Sequence, residues 1–227
     1  MACLLHIETS AKSCSLAVSL EGKLIMNKIN RTDFSHSSCL GVFVKDALDE
    51  LRKQNQNLDA VSVSMGPGSY TGLRIGVSEA KGVCYGLNIP LIAISSLRIL
   101  TEAALQTDTY ADFYYPLIDA RRMEVYSAVY DSLGDQVRDV EAEIIDQYSF
   151  LDFLSRGKVA FFGDGSDKCK DLICSDKALF IPELFPQASQ MISLAEEAFF
   201  EKRIVDTAYF EPFYLKEFQA TEAKKKI

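Results

Sequence analysis

The start of the chain contains three short runs dominated by apolar residues, at positions 3–7, 14–20 and 23–29. Turn-forming residues separate these runs, first at positions 9–13 and then at Glu21-Gly22. Apolar runs of this length bounded by turns are typical of β-strands, and short connections join antiparallel neighbours. The pattern therefore predicts an antiparallel meander of three strands.

The period of the apolar positions then changes from strand-like to helical. Apolar residues recur at intervals of three and four, at Leu40, Phe43, Val44, Ala47, Leu48 and Leu51. This spacing places them on one face of a helix. Ser37 or Ser38 can cap its N-terminus, so we expect a helix over residues 38–53.

Strands and helices alternate along the rest of the first half of the chain. The predicted elements are a strand at 61–65, a glycine-rich loop at 66–72, a helix to about residue 87, a strand at 91–94 and a helix at 96–105. Together with the meander, they give the order β-β-β-α-β-α-β-α. This order resembles one lobe of the fold shared by actin, hexokinase, the heat-shock ATPases and ribonuclease H.

The second half of the chain repeats this order imperfectly. Its predicted elements are strands at 114–119, 125–130, 141–145 and 159–162, a short helix at 148–154 and an amphipathic helix at 189–201. The sequence thus predicts an α/β fold of two lobes, each built on a βββαβα unit. We place an N-terminal lobe at residues 1–106, a smaller C-terminal lobe at 107–219 and a loose tail at 220–227.

Composition restricts the class of protein further. The 227 residues are 48% hydrophobic, which suits a globular core, and no apolar run approaches the length of a membrane span. The first residues lack the features of a signal peptide, so we expect a cytoplasmic protein without membrane contact. A net charge of −8 argues against direct binding of nucleic acid, and the six scattered cysteines do not have zinc-site spacing.

The loop at residues 66–72 is the strongest local signal of ligand binding. Its glycines allow close backbone approach, and the N-terminus of the following helix offers free N–H groups to an anion. A tight turn explains the loop equally well, and no Gly-Lys-Ser/Thr follows to make it a P-loop. With two further turns included, the candidate contacts for ATP or ADP are Glu8, Thr9, Gly66, Gly68, Ser69 and Gly165.

Side chains suited to catalysis are scarce. The chain has two histidines, of which His6 lies in an apolar strand and His36 precedes a helix. We interpret His6 as a packed core residue and His36 as a capping or surface residue. Neither belongs to a metal-binding pair or to a recognisable catalytic triad.

Four segments, spread over essentially the whole chain, resemble one known family. They are Ile7-Glu8-Thr9-Ser10, residues 66–76 (GPGSYTGLRIG), residues 119–126 (DARRMEVY) and Pro212-Phe213-Tyr214-Leu215. These segments resemble the TsaB family, also called YeaZ. The resemblance implies a non-catalytic paralogue of TsaD, the enzyme that transfers a threonylcarbamoyl group to adenosine 37 of tRNA.

The resemblance also implies partners. A TsaB protein is expected to form a heterodimer with TsaD, to act with the ATPase TsaE, and to reach tRNA only through that complex. Alone, it is expected to pair with a second copy of itself. No cofactor is required, and ATP or ADP is only a candidate ligand. The resemblance leaves the role of Asp119, Arg121 and Arg122 open.

The metal site of TsaD has no counterpart in the aligned segment. The resemblance places the His-x-x-x-His helix of TsaD at residues 96–100, where this chain has Ser96 and Leu100 at the ligand positions. A serine hydroxyl is a poor replacement for imidazole on a transition metal, and leucine has no ligand atom. We therefore expect no metal ligand and no catalytic residue in this chain.

The helix after the glycine-rich loop carries small residues on one face, at Gly72, Gly76 and Ala80. A mid-helix glycine costs up to about 1 kcal/mol relative to alanine, so several in one helix indicate unusually close packing. Contact with the chain's own sheet would explain them, but the resemblance implies a helical interface, which we favour. The predicted interface residues are Leu40, Phe43, Val44, Ala47, Gly72, Gly76, Ala80 and Val83.

Two other functions stay open at the level of the sequence. The chain could be a stand-alone ATP-dependent kinase or metallopeptidase on the same scaffold, with Glu8, Thr9, Gly68 and Gly165 around a phosphate. It could also be a simple nucleotide-binding module. Tests for bound metal and for nucleotide turnover would distinguish the enzymes from a non-catalytic subunit.

Overall fold

The first lobe is built on a five-stranded sheet. The computed structural model describes residues 2–31 and 36–216. The elements of this lobe are β1 (Cys3–Glu8), β2 (Cys14–Leu20), β3 (Lys23–Asn30), α1 (His36–Lys53), β4 (Ala60–Gly66), α2 (Tyr70–Leu87), β5 (Leu91–Ser95) and α3 (Ser96–Leu105). The strand order is β3-β2-β1-β4-β5, with β1, β2 and β3 antiparallel and β1, β4 and β5 parallel. The predicted meander is confirmed.

β1 is buried along its whole length because both faces of the first sheet are covered. On one face, Leu5 and Ile7 pack in a cluster with residues of α1 and α2. On the other face, Leu4 packs with Ile92 and with Ala195, which belongs to a helix near the end of the chain. Continuous apolar runs are typical of strands buried in this way.

The second lobe is built on another five-stranded sheet, of order β10-β9-β6-β7-β8. Its elements are β6 (Phe113–Asp119), β7 (Glu124–Asp131), β8 (Gln136–Ile144), α4 (Leu151–Arg156), β9 (Val159–Phe162), β10 (Ala178–Ile181) and α5 (Ile192–Phe200). The arrangement confirms the two-lobed actin-like α/β fold. The repeat is incomplete, because a 3-10 turn at Asp167–Cys169 stands between β9 and β10, where the first lobe has α2.

Four elements of the second lobe differ from the sequence prediction. The strand expected at 141–145 is β8, which begins already at Gln136. The helix expected at 148–154 begins at Leu151, because the carboxylate of Asp146 accepts hydrogen bonds from the N–H groups of Tyr148 and Ser149 and holds a turn there. β10 was not predicted, although its apolar run is as long as that of β9, and in the structure it is less completely buried than β9. The helix expected at 189–201 is α5, preceded by the 3-10 turn Ala188–Met191.

Two helices cross between the lobes. Leu97 and Leu100 of α3 pack against the second sheet, whereas Ala195 and Ala198 of α5 pack against the first. The helix α5 therefore completes the first core although it follows the second sheet in the chain. The division of the chain after residue 106 stays a prediction, and the tail at 220–227 lies outside the described residues.

None of the helices described in residues 2–31 and 36–216 is long and apolar enough to cross a membrane.

Candidate functional site

A cleft of about 1140 Å³ lies between the two lobes. Six parts of the chain line it: the β1–β2 turn at residues 10–12, the start of α1 at His36, the glycine-rich loop with the start of α2, the β6–β7 turn with its flanking residues, Asp164, and residues 213–216. The β1–β2 turn follows β1, the glycine-rich loop follows β4 and precedes α2, and the β6–β7 turn follows β6. Because each begins where a strand ends, their polar groups lie together at one edge of the sheets.

The glycine-rich loop packs closely on the β1–β2 turn. A Cβ atom at Gly68 would lie 2.9 Å from the Cβ of Ser10, and one at Gly72 would clash with the carbonyl oxygen of Thr9. The Ser69 N–H donates to the carbonyl oxygen of Ser10 at 2.7 Å, and the Ser69 hydroxyl accepts the Gly72 N–H at 3.2 Å as the N-cap of α2. The glycines are therefore explained by contact within the chain.

Glu8 and Thr9 lie behind the wall of the cleft. The Glu8 Oε1 atom accepts hydrogen bonds from the N–H of Ser10 at 2.5 Å and from its hydroxyl at 2.6 Å, and the whole residue is buried. Burial raises the pKa of Glu8 to about 7. Thr9 donates its hydroxyl to the carbonyl oxygen of Gly72. Both side chains are therefore enclosed in the first lobe, and the contact of Glu8 and Thr9 with a phosphate stays a prediction.

The other predicted ligand contacts divide into two groups. Gly66 and Gly165 are buried, and the Gly165 N–H donates to the carbonyl oxygen of Leu117 at 2.9 Å, so this amide is not free for a ligand. Gly68 and Ser69 line the cleft, and their contact with a nucleotide stays a prediction.

The β6–β7 turn brings cations to the cleft. Arg121 and Arg122 have φ angles of 71° and 50°, the left-handed region that non-glycine residues seldom adopt. They line the cleft together with Lys12. Among the described residues, none of these three side chains takes part in an ion pair. The sequence showed that Arg121 and Arg122 are adjacent, but it did not show that they lie in a cleft without forming an ion pair to another described residue.

The acidic residues of the cleft are held by other groups. Asp119 forms an ion pair with Lys168, whose ammonium also donates to the carbonyl oxygen of Glu124. Asp164 accepts the Asp119 N–H at 2.9 Å, and burial raises the pKa of the Asp164 carboxyl. The cleft residues without an ion pair are thus three cations, Lys12, Arg121 and Arg122, and one carboxyl group, Asp164, although the chain as a whole has a net charge of −8.

Both histidines have partners within the chain. His6 is fully buried, with Nδ1 at 2.7 Å from the Ser62 hydroxyl and Nε2 at 2.8 Å from the Ser19 hydroxyl. Burial lowers the pKa of His6 to about 3, so the ring is neutral at physiological pH, and its interpretation as a core residue is confirmed. His36 is the first residue of α1, and its Nε2 atom lies 3.0 Å from the carbonyl oxygen of Ala11.

The small residues of α2 face the chain's own core. Gly72, Gly76 and Ala80 are buried, and a Cβ atom at Gly76 would clash with the Thr9 hydroxyl. In the isolated chain this face packs on its own first lobe, with Thr9 against Gly72 and Gly76, and the contact of this face with a partner helix stays a prediction. The predicted interface residues Leu40, Val44 and Ala47 are likewise buried against the sheet.

The outer faces of α1 and α2 form a separate groove of about 490 Å³. Three exposed glycines belong to this face, Gly41, Gly82 and Gly86, and a Cβ atom at any of them would meet nothing within 4 Å. Of the predicted interface residues, Val44 and Val83 line the groove and Phe43 is partly buried. Helical spacing alone could not show which small residues faced outward.

The aligned metal-ligand positions are filled by the chain's own core. Ser96 and Leu100 are both fully buried, and Leu100 packs in the cluster that joins α3 to the second sheet. Its Cδ2 atom would lie 2.8 Å from a Cβ atom at Gly163 in the second lobe. Within the described part of the chain, no group of three or more His, Cys, Asp or Glu side chains could hold a metal ion.

Comparison with known proteins gives one consistent family. The model of the family described as TsaD, tRNA N6-adenosine threonylcarbamoyltransferase, matches residues 30–224. The tRNA threonylcarbamoyladenosine biosynthesis protein TsaB of Bacillus subtilis is 32% identical over 75% of this chain and 74% of its own length. TsaB of Haemophilus influenzae is 28% identical over 94% of this chain and 93% of its own length.

A solved structure agrees with the sequence relatives. YeaZ from Pseudomonas aeruginosa is 27% identical, superposes with a TM-score of 0.80, and is matched over 95% of this chain and 100% of its own. The match covers both lobes. The chain therefore belongs to the TsaB (YeaZ) family of tRNA threonylcarbamoyladenosine biosynthesis proteins, which is related in sequence to the transferase TsaD.

Proposed function

We propose that this protein is a non-catalytic subunit that supports a TsaD enzyme in the threonylcarbamoylation of adenosine 37 of tRNA. The observation that carries the proposal is the filling of the aligned metal-ligand positions. Leu100 occupies the space between the lobes with an apolar side chain, and Ser96 is enclosed beside it. A ligand atom at these positions would have to displace the packing that joins α3 to the second sheet.

The outer groove between α1 and α2 supports a docking role. Its exposed glycines leave the helix backbones uncovered, so that another helix can approach them closely. The groove also carries both signs of charge, with Lys45 and Arg52 on α1 and Glu79 on α2. We place the contact with TsaD on this face, and the contact with a second copy of this chain on the same face when TsaD is absent. TsaE and tRNA would then join through the complex.

Substitution at Gly82 tests the docking face, because the position is open in the isolated chain. Gly82→Arg should leave the melting temperature unchanged or slightly raised, since glycine is a poor helix former. It should weaken binding to TsaD and reduce the modification of tRNA by the reconstituted proteins. Gly82→Ala is the matched control, since it changes helix propensity without filling the groove. Full TsaD affinity in Gly82→Arg and Gly86→Arg would exclude this face.

The non-catalytic role has its own test. The purified chain should transfer no threonylcarbamoyl group alone, whereas the TsaD-containing complex should. Elemental analysis should find no stoichiometric metal in the protein after dialysis. One tightly held metal ion per chain, or transfer without TsaD, would contradict the proposal and favour the stand-alone enzyme.

A second candidate function is nucleotide binding in the cleft between the lobes. The specific observation in its favour is the group of unpaired cations, Lys12, Arg121 and Arg122, beside the N-terminus of α2. Calorimetry with ADP and with ATP, on the wild type and on Arg121→Gln/Arg122→Gln, would test it. Equal heats in the two proteins would exclude these arginines as phosphate contacts.

A further inference from the structure

Residues 205–216 follow α5 and run along α2 towards the second lobe without forming a helix or strand of their own. The first half of this segment is fixed to the first lobe. Val205 and Phe210 pack against the core cluster of that lobe. The Lys81 ammonium of α2 donates hydrogen bonds to the carbonyl oxygens of Ala208 at 2.9 Å and of Phe210 at 3.1 Å.

The second half of the segment, residues 211–216, lies along the cleft and supplies part of its wall. The Phe213 N–H donates to the carbonyl oxygen of Met65 at 2.7 Å, at the end of β4. Gly66 has a φ angle of +108°, and a Cβ atom there would lie 2.8 Å from the carbonyl oxygen of Phe213. Glycine at this position therefore lets the segment lie directly on the loop.

Aromatic and cationic side chains hold the same half at the start of α2. The Tyr214 ring lies 4.9 Å from the Tyr70 ring, centroid to centroid. The Arg74 guanidinium lies 4.3 Å from the centroid of the Tyr70 ring, and its Nε–H donates to the Tyr214 hydroxyl at 3.2 Å. The segment thus adds one aromatic ring to a cation–π pair that belongs to the first lobe.

The segment ends on the opposite lobe. Lys216 forms an ion pair with Glu124, the first residue of β7. Through this contact, residues 211–216 join the glycine-rich loop of the first lobe to the β6–β7 turn of the second. Both of the joined regions line the cleft.

We propose that residues 211–216 form a strap that closes one side of the cleft and can be released without unfolding either lobe. The core cluster of the first lobe takes in Val205 and Phe210 and none of the residues beyond them. The contacts beyond Phe210 are the Phe213 backbone hydrogen bond, the stack of Tyr214 on Tyr70, the hydrogen bond from Arg74 to Tyr214, and the ion pair of Lys216 with Glu124. Water can replace each of the polar contacts in this set. Release would widen the cleft and expose Glu124. This inference does not depend on the docking role of the protein.

Because the ion pair of Lys216 with Glu124 helps to hold the strap, reversing the charge of Lys216 tests whether the strap can open. Lys216→Glu places two carboxylates together and should open the strap. Opening is measured as the rate of hydrogen exchange at the Phe213 N–H, by NMR of the full-length protein at neutral pH. We expect its exchange to be about 2–10-fold faster in Lys216→Glu, and to return towards the wild-type rate in Glu124→Lys/Lys216→Glu.

Two controls separate strap opening from general loosening. Lys23→Glu makes the same change of charge at an exposed lysine on the edge strand β3 and should leave the Phe213 rate unchanged. The Val205 N–H, which donates to the carbonyl oxygen of Leu91 at 2.9 Å, should keep its rate in every variant. An unchanged Phe213 rate in Lys216→Glu, no return in the double variant, or equal acceleration at Val205 would each overturn the proposal.

Discussion

The side chain of Thr9, at the turn after β1, lies directly against Gly76 in the middle of α2. The Thr9 hydroxyl also donates a hydrogen bond to the carbonyl oxygen of Gly72, one turn earlier in the helix. The close approach indicated by the small residues of α2 is therefore an approach to the chain's own turn after β1. It holds the glycine-rich loop against the β1–β2 turn and so shapes one wall of the cleft.

Substitution by alanine should lower the stability of the fold at Gly76 and raise it at Gly82. Gly76→Ala puts a methyl group against the Thr9 hydroxyl and should destabilise the fold by about 1–3 kcal/mol. Gly82→Ala adds a methyl group in open space and should stabilise the helix by about 0.5–1 kcal/mol. Urea unfolding of the two variants measures both changes. Equal effects would show that the two faces of α2 are packed alike.

Glu8 should make the stability of the folded protein fall as the pH rises, and substitution of Glu8 tests this dependence. Its pKa is raised from 4.5 to about 7 in the folded protein, so the folded state holds a proton that the unfolded chain has lost between these values. This contribution to stability is present below pH 4.5 and is lost as the pH rises through 7.

Glu8→Gln replaces the protonated carboxyl with a neutral side chain of the same shape. Relative to the wild type, the variant should gain about 1–3 kcal/mol of stability between pH 5 and pH 8. Urea unfolding at each pH measures the difference, and the comparison cancels the contribution of His6. A difference that stays constant over this range would show that Glu8 is ionised in the folded protein throughout.

His6 should contribute stability with the opposite dependence on pH. Its pKa is lowered from 6.5 to about 3, so the unfolded chain binds a proton between these values and the folded protein does not. Stability from this residue is therefore lost as the pH falls from 6.5 towards 3. In His6→Asn, the slope of stability against pH over this interval should become smaller, as measured by urea unfolding.

The hydroxyl partners of His6 allow a structural control. His6→Leu leaves the hydroxyls of Ser19 and Ser62 buried without the ring and should cost about 1–3 kcal/mol. Replacing both serines by alanine in the same variant should recover part of that loss, since no unpaired hydroxyl remains. A triple variant less stable than His6→Leu would contradict the assigned network.

Leu100 should be required for the packing of α3 against the second sheet, which connects the two lobes. Leu100→His puts a polar ring into an apolar cluster and should lower stability by about 2–4 kcal/mol. Zinc should not restore the loss, because no group of three or more His, Cys, Asp or Glu side chains among the described residues could hold a metal ion. Leu87→His, at an exposed position at the end of α2, is the control and should cost little. Thermal unfolding with and without zinc measures both variants.

The sequence by itself determined the order and most of the bounds of the elements. The spacing of apolar residues along the chain is a local property, so neighbouring residues were enough to predict the meander, α1 and β9. The segments at 66–76 and 119–126 also indicated the family that the comparisons show. The sequence did not predict β10 or the start of α4, which begins only at Leu151 because the Asp146 carboxylate holds a turn before it.

Only the tertiary structure decided which face of each element meets which neighbour. The same spacing puts Gly76 in the core and leaves Gly82 open, and nothing in a helical period distinguishes them. Burial of Glu8 behind the cleft and the crossing of α5 to the first sheet also depend on contacts between residues far apart in the chain. Long-range packing is set by the whole fold, and it therefore decided which candidate residues could face a ligand or a partner.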